Sequence, residues 1–173
     1  MEPVNPAVRL VGVRSANKLN ALAYFITFRT YGSWLHGDER GSVDDRHNVP
    51  GSPRLQPNQR WRVAAEVLLE GPPMLFGDRE RMACEQSIRE TCAYRRWKLR
   101  AVNVRTNHVH LVVSADVLPE RVMRDLKAYA TRALRQSGLV DENRRVWARH
   151  GSTRMIYTPE GVERACVYTL EQQ

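Results

Sequence analysis

Cysteine is scarce. The 173 residues hold three, Cys84, Cys92 and Cys166, and no two form a Cys-x-x-Cys pair, so the usual cysteine metal and redox motifs are missing. Cys84 and Cys92 stand about two helical turns apart in a segment of helical pattern, which leaves buried or idle thiols as their reading. Long apolar runs are absent as well. Nothing approaches the roughly 20 residues needed to cross a bilayer, and the N-terminus lacks the apolar stretch of a signal peptide, so a cytoplasmic protein that does not enter a membrane is expected. No internal repeat is visible. Acidic residues are in deficit, 19 against 27 Lys and Arg, which gives a formal charge of +8 and an isoelectric point near 9.9. Such a field attracts polyanions, most simply nucleic acid phosphates, although many basic proteins carry only a solvated surface. The excess lies late, from Arg95 through Arg105 and again from Arg121 to Arg154.

What is present fits one folded domain, with 42% hydrophobic and 27% charged residues. Residues 1–20 read as an irregular lead-in to a single domain over 21–173. Ala23 to Thr30, rich in aromatic and β-branched residues, predicts a strand. Glycine and proline then punctuate a long inserted region, about 31–77, within which Trp61 to Glu70 has the pattern of a short helix. Asp78 is suited to cap a helix over 79–97, with Met82, Ile88 and Cys92 recurring along it. Residues 98–104 and 109–113 alternate around a Thr106-Asn107 turn and predict an antiparallel pair. Pro119 opens a helix to Gln136 with Val122, Leu126, Tyr129 and Ala133 along one face, and Gly138 stops it. Thr153 to Tyr157 predicts a last strand, and Thr158-Pro159-Glu160 starts a closing helix. This order predicts an α+β fold, a ferredoxin-like sandwich whose antiparallel sheet has helices on one face, plus a C-terminal helix.

The sharpest local motif is His108-Val109-His110. Residues two apart on a strand project from one face, so both imidazoles can meet one cation while Val109 and Leu111 anchor the strand in the core. The same spacing also arises among ordinary hydrogen-bonding histidines. A nucleotide-attacking histidine triad needs a third His where the chain has Val112. Phosphoesterases with two His-x-Ser/Thr motifs need a pair, and only His150 is followed two residues on by Ser.

In the closing helix Tyr168 and Gln172 are four apart and share a face. If that helix packs beside the histidine strand, Gln172 can supply a third metal ligand while Tyr168 points at a metal-bound phosphate. The bland alternative is a Tyr and a Gln on an ordinary terminal helix. Tyr129 is a rival nucleophile, but its spacing puts it on an apolar face and Ala133, four beyond it, cannot bind metal.

Taken together, His108-Val109-His110 with Tyr168 and Gln172 resembles the HUH single-tyrosine transposases of small bacterial insertion sequences, and the REP-associated tyrosine transposases in particular. Tyr24 to Arg29 as opening strand, Asn107 before the histidines and Trp147-Ala148-Arg149 near the final strand extend the resemblance over roughly Ala21 to Gln173. The chain departs from it in the long Gly/Pro-rich region between first strand and first helix.

The resemblance implies metal-dependent cleavage and rejoining of single-stranded DNA. Tyr168, on the C-terminal helix, would become joined to a 5′ phosphate and release a 3′ hydroxyl. His108, His110 and Gln172 would hold the metal, and two nitrogens with one amide oxygen suit Mg2+ or Mn2+. Single-stranded DNA with a hairpin or imperfect palindrome is the implied partner. Relatives include dimers that exchange the tyrosine helix and proteins that act alone, and both arrangements, homodimer or monomer, stay open. Arg144, Arg145, Arg149 and Arg154 are candidates for DNA phosphate contacts, and Trp34, Trp97 and Trp147 for base stacking or for the core. Two other classes compete: a ferredoxin-like nucleic-acid-binding module that never cuts, and a metal phosphodiesterase that uses water.

Overall fold

The computed structural model describes residues 21–39, 41 and 55–171. The expected lead-in over 1–20, the middle of the inserted region and Gln172 lie outside the described residues. Four strands form one sheet, β1 (Ala23–Thr30), β2 (Lys98–Val104), β3 (His108–Ser114) and β4 (Trp147–Ile156), in the order β2-β3-β1-β4 with antiparallel neighbours. Helix α1 (Gln59–Val67) lies in the inserted region; α2 (Asp78–Tyr94) links β1 to β2, α3 (Pro119–Gln136) links β3 to β4, and α4 (Pro159–Glu171) closes the chain. Each linking helix carries the chain past an intervening strand, which is the ferredoxin-like α+β arrangement expected from the element order. Among the described residues no helix is long and apolar enough to cross a membrane.

Strand pleat sorts the side chains onto two faces. Tyr24, Ile26 and Phe28 of β1, Val102 and Val104 of β2, and Val109, Leu111 and Val113 of β3 meet α2 and α3 in the main core. The opposite face is only partly apolar. There Ala23, Ala101, Val112 and Ile156 meet Val162 and Ala165 of α4, with Phe25 and Cys166 at the margin.

Helix ends differ in detail from expectation. Gly77, not Asp78, is the N-cap of α2 and makes no side-chain cap bond, while Asp78 and Glu80 sit in the first turn, where the helix dipole favours acids. The helix ends at Tyr94 rather than Trp97, because Arg96 takes φ +58. Trp97 N–H then bonds Cys92 O at 2.8 Å and Arg96 N–H bonds Ala93 O at 3.1 Å, a Schellman closure that turns Trp97 into the core. Gly138, at φ +65, ends α3 the same way, with Leu139 N–H on Leu134 O.

Periodicity misplaced single residues on two helices. Met82 is 73% exposed, while Ile88 and Cys92 are buried on α2 as expected, together with Cys84. Helix α3 buries Val122, Leu126, Ala130 and Leu134, so Tyr129 and Ala133 stand at the side of that stripe. With 3.6 residues per turn, a stripe set by residues 122 and 126 can continue to 129 or to 130, and here it keeps the four-residue step. The cysteine reading holds: burial pushes the Cys84 thiol up to about 12 and that of Cys92 up to about 11.

Strand β4 begins at Trp147, earlier than the expected Thr153, and pairs with β1 through Gly151 opposite Phe28 before a register shift. A glycine in mid-strand obscured this in the sequence, and its reason is crowding. A Cβ on Gly151 would press on Met123 Sδ and come within 2.6 Å of Thr27 O. In the inserted region Asn58 caps α1 by accepting from Trp61 N–H at 3.1 Å. Tyr31 ties this region down, since Met74 N–H bonds its carbonyl at 2.8 Å and Glu70 N–H bonds its hydroxyl at 2.7 Å.

Candidate active site

His108 and His110 occupy the sheet face that α4 partly covers, while Val109 and Leu111 between and beyond them are fully buried on the other. Their ring centroids are 4.6 Å apart. The two Nδ1 atoms are engaged by neighbours: His108 Nδ1 with Asn107 Oδ1 at 2.7 Å, His110 Nδ1 with Thr27 Oγ1 at 2.8 Å. An amide oxygen only accepts, so His108 donates from Nδ1, and Nε2 is its remaining ring nitrogen. The same tautomer at His110 leaves Nε2 as its coordinating nitrogen. A ligand histidine whose other nitrogen is held by an oxygen is the usual arrangement in metal sites.

His110 is 8% exposed. Burial, and then the positive charges of Arg29 and Arg105, push its pKa down to about 4. At neutral pH the ring is uncharged, which is the state that offers a lone pair to a cation.

Helix α4 reaches this face by burying Val162, Ala165 and Thr169. Asn103, the β2 partner of His110 through β3, donates Nδ2–H to Thr169 O at 2.9 Å. That bond pins the last turn of α4 beside the histidines. Tyr168, 46% exposed, therefore stands at the edge of the covered region, its ring centroid 6.0 Å from that of His110 and 5.7 Å from that of Phe25. Phe25 in turn stacks on His110 at 5.6 Å with an interplanar angle of 13°. One aromatic side chain from β1 thus touches both the imidazole and the phenol.

The remaining sequence candidates are scattered. Arg154 lies over the Phe25 ring at 5.5 Å, on the histidine face. Arg144 donates to Pro72 O and Pro73 O at 3.0 and 3.1 Å, and Arg145 pairs with Glu70 at 3.2 Å, so both brace the inserted region. Arg149 is exposed beside a groove between α3 and β4 lined by Met123, Lys127 and Trp147. Trp97 and Trp147 belong to the core; Trp147 Nε1 donates to Lys127 O and Thr131 Oγ1, both at 3.0 Å. Trp34 lies beneath the Arg29 guanidinium, 3.4 Å from its ring centroid. Tyr129 is on α3, on the far side of the sheet, next to Arg95 and Arg132.

Phe25, Thr27, Arg29, Asn103 and Arg105 were not singled out as site residues from the sequence. The signal was present as strand parity: once β1 and β2 are paired to β3, every second residue falls on the histidine face. Register, which composition does not state, was the missing piece.

The donor set suits a divalent cation, with two imidazole rings side by side and Tyr168 partly exposed beside them. Among the described residues no group of three or more His, Cys, Asp or Glu side chains gathers, so a further protein ligand has to be of another type. An amide at position 172, four residues after Tyr168 in sequence, is of that type, and Gln172 lies outside the described residues.

Residues 73–155 match the family described as IS200-like transposases. That segment contains His108 and His110 and stops short of Tyr168. No curated protein matches the chain. Solved structures that align with it include two transposases. One is a REP-associated tyrosine transposase bound to a REP hairpin, at 13% identity and a TM-score of 0.47 over 86% of this chain and 64% of that one. The other is a candidate transposase from Deinococcus radiodurans R1, at 12% identity and a TM-score of 0.49 over 100% of this chain and 98% of that one. The chain thus spans less than two thirds of the first structure's length.

Proposed function

From the match of residues 73–155 to the family of IS200-like transposases we propose that the chain cuts and rejoins single-stranded DNA with Tyr168 as nucleophile. That match implies DNA transposition as the setting. The reading extends over residues 21–173 as one catalytic domain, with 31–77 as its insertion. The observation that carries it is the meeting of Phe25, His110 and Tyr168, which brings a phenol from α4 beside the paired imidazoles of β3.

His108, His110 and Gln172 are the residues that would hold Mg2+ or Mn2+. A divalent metal bound there supplies electrostatic stabilisation of the charge that grows on the phosphoryl oxygens. The protein does the rest. Tyr168 Oη attacks phosphorus, forming a phenol ester to the 5′ phosphate as the bond from phosphorus to the 3′ oxygen breaks. The phenol proton passes to water, and the departing 3′ oxygen takes one up to become a hydroxyl. In the reverse direction a 3′ hydroxyl attacks the phosphotyrosine and regenerates the phenol, so the bond energy is conserved without a nucleotide cofactor. A phenol of reference pKa about 10 is a weak nucleophile at neutral pH, and in-line placement beside a charged centre offsets this.

Single strands are the proposed substrate because the phosphate has to enter a site between α4 and the sheet, and the net charge of +8 favours a polyanion. A hairpin or imperfect palindrome beside the cut is proposed as the recognised structure. The test is incubation of labelled, hairpin-bearing single strands with Mn2+ followed by denaturing electrophoresis. A covalent adduct that disappears in Tyr168→Phe and in His110→Ala is expected. Binding without an adduct across many hairpin sequences would instead establish a non-cutting module, and cleavage that survives Tyr168→Phe would establish hydrolysis by water.

A further inference from the structure

Helix α2 ends on a different residue type from its neighbour. Gly138 takes the left-handed position that closes α3, whereas Arg96 takes the same position after α2, at φ +58. A Cβ is disfavoured in that conformation, which is why glycine is usual there. The closing bonds are made by the backbone, so they do not account for an arginine. Arg96 is exposed, and among the described residues no acid pairs with it.

Its surroundings are aromatic and basic. Tyr94, the last helical residue, is 74% exposed. Arg95 reaches inward, with Nη2 3.2 Å from Asp125 Oδ2 of α3 and its guanidinium 5.7 Å from the Tyr94 ring centroid and 5.9 Å from that of Tyr129. That ion pair compensates the Arg95 charge and gathers two phenol rings around one anchored side chain. Arg132 lies over the Tyr129 ring at 5.3 Å, is exposed, and likewise has no acidic partner among the described residues. A groove of about 240 Å³ runs between these side chains, lined by Thr91 of α2 and Ala133 of α3 as well. Glu90, bonded by Gln86 Nε2 at 2.7 Å, is the acid at its side.

Two exposed cations beside two phenol rings suit unpaired nucleotides, whose phosphates meet the charge while their bases stack. An acidic peptide offers the charge without the stacking faces. A second copy of this chain, at +8, brings the wrong sign.

The groove faces away from the histidines, yet a basic line joins the two sides. Strand β2 follows Arg96 closely and forms an edge of the sheet, with Lys98 and Arg100 exposed along it. Arg100 Nε donates to Ser114 Oγ at 2.8 Å, and its charge reaches Cys166 of α4. Positive charge thus passes from the groove, round the edge of the sheet, to the face that α4 covers.

We propose that Tyr94, Arg96, Tyr129 and Arg132 form a second seat for single-stranded DNA, outside the reacting site, and that Arg96 is held left-handed for this contact rather than for the fold. The choice of DNA rests on the transesterase reading, and the seat itself rests on the groove.

The experiment uses the full chain. Binding of a labelled oligodeoxythymidine in EDTA is measured across a salt series. Arg96→Gly and Arg132→Gln are each expected to lower the slope of log affinity against log salt by about 0.7, and the double variant by about 1.4. Tyr94→Ala is expected to keep the slope and weaken binding about 10-fold through lost stacking. Arg79→Gln, at the other end of α2, is the equal-charge control and keeps the wild-type slope. Arg96→Gly carries a stability readout as well. Its melting temperature is expected to rise by about 2 °C, because glycine relieves the left-handed backbone. A fall would make Arg96 a brace of the fold and overturn its assignment. In adduct formation with Mn2+, the groove variants should need about 10-fold more hairpin-bearing strand for half the maximal rate, and keep that maximal rate. A folded double variant with the wild-type slope overturns the proposal, and so does unchanged affinity in Tyr94→Ala. Loss of affinity confined to oligouridine would assign the groove to RNA, and altered sedimentation with the slope intact would assign it to a second copy of the chain; either result overturns it. Failure of the wild type to form any adduct would remove the transesterase reading, while the metal-free slopes still decide whether unpaired DNA occupies the groove.

Discussion

The Thr27 hydroxyl and His110 Nδ1 are joined at 2.8 Å from facing positions on β1 and β3. This contact orients the buried imidazole with a group from the neighbouring strand, and it occupies one of the two ring nitrogens. Thr27→Val keeps the shape and removes the bond. The fold should survive with a loss of about 1 kcal/mol, whereas Mn2+ affinity should fall about 10- to 100-fold, the usual cost of losing a bond that orients a ligand histidine. Free Mn2+ measured by electron paramagnetic resonance reads this directly. Unchanged affinity would show that the hydroxyl does not orient the ligand.

Acid should loosen the protein through the same histidine. The folded pKa of His110, about 4, lies below its unfolded value of 6.5. The unfolded chain therefore binds the extra proton first, and stability present above pH 6.5 is lost as pH falls toward 4. The whole effect is at most about 3 kcal/mol from this one group. Urea midpoints from pH 7.5 to 4 in EDTA should decline in the wild type, and the decline should be shallower in His110→Gln. Equal slopes in the two proteins would remove His110 as the cause.

Gly151 couples the edge strand to Thr27 as well. A methyl there meets Met123 Sδ and the backbone oxygen of Thr27, and the backbone cannot yield as a side chain can. Gly151→Ala should destabilise by about 1–3 kcal/mol, the usual cost of overpacking. Met123→Ala in the same chain should recover only part of it, because the Thr27 contact at 2.6 Å remains. Thermal melts of the two variants check this, and full recovery would put the clash on Met123 alone.

Much of the scaffold was legible because its signals are periodic and local. β1 at Ala23–Thr30 and α3 at Pro119–Gln136 fall where alternation, an opening proline and a stopping glycine place them. The histidine pair was legible for the same reason, since its spacing alone sets its face. Arg29 and Asn103 were not. Their importance comes from strand pairing across long stretches of chain, and Arg29 reads in sequence as one more charge in a basic protein. Arg144 and Arg145 read in sequence as candidates for phosphate contacts, and the fold adds what sequence does not state, their bonds to Pro72, Pro73 and Glu70.

Asn103 supplies the last prediction, because it binds the one element whose position the reaction depends on. Its amide holds Thr169 O at 2.9 Å, one residue past Tyr168, and the carbonyls of a final helical turn have few other partners. Removing the bond by Asn103→Ala should cost about 1 kcal/mol globally, a small part of the total. Locally the effect should be larger, since helix ends open with little free energy. Amide exchange in 165–171 should quicken while the strands stay protected, and adduct formation through Tyr168 should slow more than DNA binding weakens. If exchange quickened throughout the sheet instead, the bond would be a general brace. If neither exchange nor adduct rate changed, the packing of Val162 and Ala165 alone would suffice to seat α4.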